Sequence, residues 1–202
     1  MADQKISAMP PANVPLSGAC LVPMTQSGVN VSTTLALMGA YARATFSNYG
    51  VFQYLGANQT GTANQVKTLV MDTTDYSVNV SLVAPAKTDI LVGVAGTYTV
   101  MIAISLTNSS ANFDNFTFWP EVNGTAPPGS STVTSCPAAK GGKDGLSILS
   151  IVYTFQLTPA STIRFKWFIP GGVTSVYTDP GSPTAPIHPS AAGVILSVVQ
   201  IA

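Results

Sequence analysis

Between Gly96 and Leu106 the chain alternates without a break: Tyr98, Val100, Ile102, Ile104 and Leu106 share one parity, and Thr97, Thr99, Met101, Ala103 and Ser105 share the other. Only an extended strand turns a two-residue period into one apolar and one small or polar face. The same period recurs through most of the chain from Tyr49 onward, interrupted by turn clusters, so the body is expected to be all-β. Tyr76, Val78, Val80 and Leu82 read as one apolar face, and Ile90-Leu91-Val92 resumes after a Pro/Lys/Asp turn. Leu149, Ile151, Tyr153, Phe155 and Leu157 form another such face. Ile163, Phe165, Trp167 and Ile169 form a third, with Arg164 and Lys166 pointing the other way.

Turn chemistry sets the punctuation. Asn123-Gly124 tolerates positive φ at both positions and predicts a tight hairpin after Phe116, Phe118 and Val122. Residues 125 to 145 hold Pro127-Pro128-Gly129 and Gly141-Gly142, and read as a long surface loop with a short strand at Thr132-Val133-Thr134. A Pro/Gly-rich crossover from Pro170 to Pro189 leads to the final strand from Ala191 to Ala202, which is apolar on both parities. Such a strand has to be covered on both faces, either centrally in its sheet or against sister subunits, and this points to oligomerisation.

The first 46 residues read differently. They contain four prolines, short apolar clusters, and only Asp3 and Lys5 as charges before Arg43. The prolines forbid a continuous helix, and an extended segment of this length has no second layer to pack against. The division is therefore an arm, residues 1–46, and a β-sandwich, residues 47–202. The arm's apolar groups are expected to be buried on a partner protein, with Ile6, Met9, Leu16, Leu21, Val22 and Val29 as the anchoring side chains. The one helical candidate has Thr33 or Thr34 as cap to residues 35–42, a short piece weakened by Gly39.

Composition excludes several classes. Charged residues make up 8% of the 202 positions and the formal net charge is +0, against about 25% charged in an average soluble domain. No basic stripe exists to neutralise phosphates, so nucleic-acid binding is not expected. No run of about eighteen apolar residues occurs, so membrane insertion is not expected. The start Met-Ala-Asp-Gln-Lys lacks a basic stretch followed by an apolar one, and synthesis in a cytoplasm is expected. Cys20 and Cys136 have neither CxxC spacing nor a nearby histidine, which sets a metal site aside. Their pairing stays open, since loop placement does not give the distance a bridge requires, and two free thiols are the simpler expectation. His188 is the sole histidine, flanked by Ile187 and Pro189. Asp72 and Asp75 are the one close carboxylate pair, more simply a turn before a strand. Neither supports an enzyme, and no cofactor is expected.

Two resemblances follow from these residues. Ala95-Gly96-Thr97-Tyr98-Thr99-Val100, Val122-Asn123-Gly124-Thr125, the run from Leu157 to Trp167 and the apolar last strand resemble the tumour-necrosis-factor and complement globular-head jelly roll over about three quarters of the chain. The resemblance implies an antiparallel sandwich whose core strands include Tyr98, Val100, Ile102, Val194, Leu196 and Val198, with three copies around an axis. That family usually carries Gly-Asp where this chain has Ala160-Ser161. The arm, with Lys5 to Pro10, Leu16 to Pro23, Gln26 to Val29 and Thr33-Thr34, looks like the leader of many tailed-phage virion proteins, with Cys20 where an acidic residue is common.

Together they imply a homotrimeric capsid decoration or cement protein on the outer capsid surface of a virion, held by the major capsid protein or a tail adaptor. No heptads or shaft repeats separate arm from body, and about 45 residues span at most about 150 Å, which suits stapling neighbours better than projecting a tip. The alternative is a tail-fibre or receptor-binding protein recognising host surface glycans through aromatics such as Trp119 and Tyr177.

Overall fold

The structure, a computed structural model, describes residues 48–202 together with the backbone of two strands nearer the N-terminus. The chain divides into two compact units, 1–46 and 47–202. In the first, β1 (Leu21–Gln26) pairs antiparallel with β2 (Val29–Thr34), Leu21 opposite Thr34 and Gln26 opposite Val29. The stretches expected to run singly extended thus satisfy their backbone groups on each other. Thr33 and Thr34 end a strand, and the helix expected at 35–42 lies outside the described residues. So do Ile6, Met9, Leu16 and Cys20.

The second unit is all-β and antiparallel, a jelly-roll-like β-sandwich. Its strands are β3 (Tyr49–Tyr54), β4 (Gln59–Thr60), β5 (Gln65–Thr68), β6 (Thr73–Val78), β7 (Val80–Leu82), β8 (Asp89–Val92), β9 (Gly96–Asn108), β10 (Asp114–Val122), β11 (Thr132–Cys136), β12 (Gly145–Leu157), β13 (Ser161–Ile169), β14 (Thr174–Val176) and β15 (Val194–Gln200). One sheet has the order β4-β14-β9-β15-β3-β6, with β12 along the other edge of β9. The second has the order β11-β10-β13-β8-β7, with β5 beside the far end of β13.

The alternation from Gly96 to Leu106 becomes β9, whose inward residues Tyr98, Val100, Ile104 and Leu106 are wholly buried. It lies inside its sheet, paired along its full length with β12 on one side and with β14 and β15 end to end on the other. From the facing sheet come Phe116, Phe118, Ile163, Phe165, Trp167 and Ile169. Phe116 stacks on Trp167 at 5.4 Å between ring centroids, and Phe118 on Phe165 at 5.3 Å, spacings favourable to offset aromatic contact.

The single apolar face expected from Tyr76 to Leu82 is corrected. Asn79 has φ of 56°, a left-handed conformation that asparagine tolerates better than most side chains. At this kink the chain changes sheets: β6 pairs β3, and β7 pairs β8 in the facing sheet. Val80 is therefore buried while Tyr76 and Val78 stay exposed. Asn79 is held by its own amide donating to Asn48 Oδ1 at 2.6 Å and by its carbonyl accepting from Gly93 N at 2.8 Å.

The turn at Asn123-Gly124 forms as expected, with φ of 51° and 78° and reciprocal backbone hydrogen bonds between Val122 and Thr125. The strand expected at 132–134 extends to Cys136. The crossover after Pro170 contains β14, where Thr174 and Val176 alternate inward, and it is braced further along by bridges between Asp179 and Ala191 and between Ser182 and His188. Ala160, where the jelly-roll family usually has glycine, adopts φ of 64°. The turn accepts it because Ala160 N donates to Val92 O at 2.9 Å and Ser161 N to Thr158 O at 3.1 Å.

Candidate functional site

Alternation in β9, β12, β15 and β3 leaves one set of side chains pointing away from the core. Register aligns them in rows: Val152, Met101, Ser197, Val51 and Tyr76 form one, and Thr154, Thr99, Val199, Tyr49 and Val78 form the next. Leu146 and Ile148 extend the apolar surface along β12. No outward position of β9, β12, β15 or β3 is charged. Ile148 is 73% exposed, Val152 62%, Ile195 49% and Met101 45%. Single exposed apolar residues are ordinary, but a contiguous uncharged sheet face marks a contact surface.

The edge makes the same point. β12 runs 13 residues with no charge and no proline, and among the described residues its only ladder partner is β9. Edge strands in proteins that stay monomeric carry lysines, prolines or bulges that discourage pairing, and β12 has none of these within its span.

Where β12 begins, a cavity of about 480 Å³ opens between its outward side chains and the 177–192 segment. Leu106, Leu146, Ile148, Tyr177, Ala191 and Ala192 line it, with Ser105 and Asp179 as polar members. A second cavity, about 720 Å³, shares Tyr177 and Asp179 and is bounded by Leu55–Asn58 and Ser190. On the facing sheet, Trp119 lines a groove of about 350 Å³ under the loop after Asn123-Gly124. The two aromatics singled out from sequence are thus half-buried walls of cavities at different places on the body.

The titratable groups are mostly structural. Asp114 accepts from Gly171 N at 3.1 Å and Thr174 Oγ1 at 3.2 Å, pinning the start of β10 to the turn before β14. Asp72 accepts from Leu55 N, at 3.0 Å to one carboxylate oxygen, and from Thr73 Oγ1 at 2.9 Å. Arg164 grips Asp89 with two nitrogens, Nη2 to Oδ2 at 2.6 Å. The hydrogen bonds from Arg164 hold the Asp89 carboxyl below the usual aspartate range. His188 Nδ1 stands 3.8 Å from Asp179 Oδ2, linking two parts of one loop. Among the described residues no group of three or more His, Cys, Asp or Glu gathers as a metal site would require.

No family model matches the chain, and no curated protein matches it.

Tyr98, Val100, Ile102, Val194, Leu196 and Val198, expected as core or trimer residues, all point into the sandwich of a single copy. Their outward neighbours Met101, Ile195 and Val199 are the side chains that stay exposed. Leu21 and Val22 lie on β1 and Val29 on β2. The exposed residues of β12 were missed from sequence because only one of its parities was read as apolar. Leu146, Ile148 and Val152 on the other parity carry the same two-faced signal recognised in the last strand.

Cys136 is a free, wholly buried thiol whose Sγ lies 3.8 Å from Gly145 O. Burial, reinforced by the nearby Asp114 carboxylate, pushes its pKa up to about 11 from 9.0. The folded state holds the proton more tightly than the unfolded chain, so this stabilisation is complete below pH 9 and is lost as pH rises through 11. Titration with a thiol reagent at pH 7.5 is expected to leave Cys136 unmodified until denaturant is added; rapid labelling of Cys136 itself in the native protein, located by peptide mapping, would contradict the buried placement.

Proposed function

We propose that this chain is a structural virion protein: a trimeric decoration or cement protein of a phage head, anchored by residues 1–46 to the major capsid protein or a tail adaptor, with the sandwich standing on the outer capsid surface. The uncharged outer face formed by β9, β12, β15 and β3 carries this reading. Strands of 13 residues in β9 and β12 make the face about 40 Å long, and four strands make it about 20 Å wide, on the order of 700 Å² once the shorter β3 and β15 are allowed for. A specific interface uses about 600–1,000 Å² per partner, and the face falls inside that range.

A second copy suits this surface better than a charged partner, because it supplies apolar groups and hydroxyls without an unpaired charge to bury. Three copies is the number that the jelly-roll resemblance implies, and a ring of three closes without leaving an open contact. The role is structural: Asp72, Asp114 and Asp89 are engaged in holding the fold, and the His188–Asp179 pair braces a loop.

Attachment is tested by removing residues 1–46. The truncated protein is expected to remain a folded trimer by native mass spectrometry and to lose binding to purified phage heads, whereas the full chain binds at a copy number in the hundreds, near that of the shell protein. A truncate that still binds heads removes the arm from the proposal. A handful of copies on intact particles places the protein at the tail or a vertex instead.

A further inference from the structure

We propose that the groove beside Trp119 is a binding site for a neutral saccharide. The site goes beyond the assembly role and does not depend on it, since it lies on the other sheet from the apolar face.

The groove follows from strand parity. In β10, Phe116, Phe118 and Pro120 point inward, which turns Thr117, Trp119 and Glu121 outward. Trp119 is opposite Lys166 of β13 in the ladder. On the β11 side, the chain beyond the Asn123-Gly124 turn folds back to give a second wall, with Pro127, Gly129, Ser130 and Ser131 lining it. The resulting volume, about 350 Å³, lies at the small end of the range for ligand sites.

The second wall is prebuilt. Pro127 to Ser130 form a tight turn, with Ser130 N donating to Pro127 O at 3.2 Å and Ser130 Oγ donating to the same oxygen at 2.7 Å. Gly129 has φ of 72°, the left-handed third position that this Pro-Gly turn requires. Tyr153 Oη, from β12 in the other sheet, donates to Ser130 O at 3.2 Å and ties the loop to the body. A ligand entering here does not have to order the loop, which removes a cost that ordinarily opposes binding.

The lining selects the chemistry. A pyranose ring has a face of polarised C–H groups and a rim of hydroxyls. The indole of Trp119 offers an electron-rich surface for the first, and Thr117, Ser130 and Ser131 offer hydroxyls for the second. None of the residues lining the groove is charged. With no charged side chain in the lining to pair with a carboxylate or sulfate, the favoured sugar is uncharged.

The full-length protein can be titrated with glucose, galactose, mannose, N-acetylglucosamine and short oligomers of each, following tryptophan emission. Trp167 is 1% exposed in the core, so a ligand-dependent change reports on Trp119. At least one sugar is expected to give a saturable change that is lost in Trp119→Ala. Trp119→Phe, which keeps an aromatic face, is expected to retain binding weakened by about tenfold. Circular dichroism of both variants should match the parent, because neither alters the core. Absence of any saturable change up to tens of millimolar sugar overturns the proposal. So does binding that survives in Trp119→Ala, or a proline-rich peptide that occupies the groove where no sugar does.

Discussion

Met101→Lys combined with Ile195→Lys is expected to turn the proposed trimer into monomers that keep the parental fold. Both side chains point outward from neighbouring strands of the seven-stranded sheet, Met101 on β9 and Ile195 on β15, and both are about half exposed in the single copy. In a monomer the two ammonium groups reach solvent on flexible stems, and the strands keep their ladders, so folding loses little. In an assembly each lysine would be buried against apolar groups without a counter-charge. An uncompensated buried charge costs about 3–5 kcal/mol, roughly two to four orders of magnitude in association for each substitution. Sedimentation velocity at micromolar protein reads the outcome, with far-ultraviolet circular dichroism as the check on folding. A variant that stays assembled would move the interface to another surface, and a monomeric parent protein would remove the trimer from the proposal altogether.

Trp167→Ala costs about 3–5 kcal/mol of folding stability, whereas Trp119→Ala stays within about 0.5 kcal/mol of the parent. The two tryptophans lie one residue apart in ladder register: Trp167 faces Phe118 across the β10–β13 pair, and Trp119 faces Lys166. That single step reverses the direction of the side chain. Trp167 is packed against Phe116 and is wholly inside the sandwich, so truncation leaves a cavity lined by aromatic groups that cannot collapse into it. Trp119 stands at a groove open to solvent. Urea denaturation of the two variants separates the cases by midpoint, provided the slope is unchanged. Equal losses in both would contradict the inward and outward assignments.

These two residues also mark how far the sequence could be read. Trp167 sits in a clean alternation with Ile163, Phe165 and Ile169, opposed by Arg164 and Lys166, and its inward direction was legible from that pattern. Trp119 follows Phe118 in a run where polar and apolar residues also alternate, but its groove depends on a loop that returns from residue 126 onward. No local pattern encodes that return. Asn79 is a similar case: the alternation from Tyr76 to Leu82 continues through it, yet a left-handed backbone there sends the two halves to different sheets.

Local chemistry was sufficient for what depends on neighbours a few residues away. A two-residue period can be satisfied only by strands, and asparagine followed by glycine accommodates positive φ where most pairs are strained, so the all-β class, the inward face of β9 and the turn at residues 123 and 124 follow from the chain alone. Tertiary structure decided what depends on a second layer. β12 and β15 are apolar on both parities, and either face could have been the inner one. The position of the opposite sheet buried Leu149 and Leu196 and left Ile148 and Ile195 in solvent, because burial is a property of what lies across the core and not of the strand that presents it.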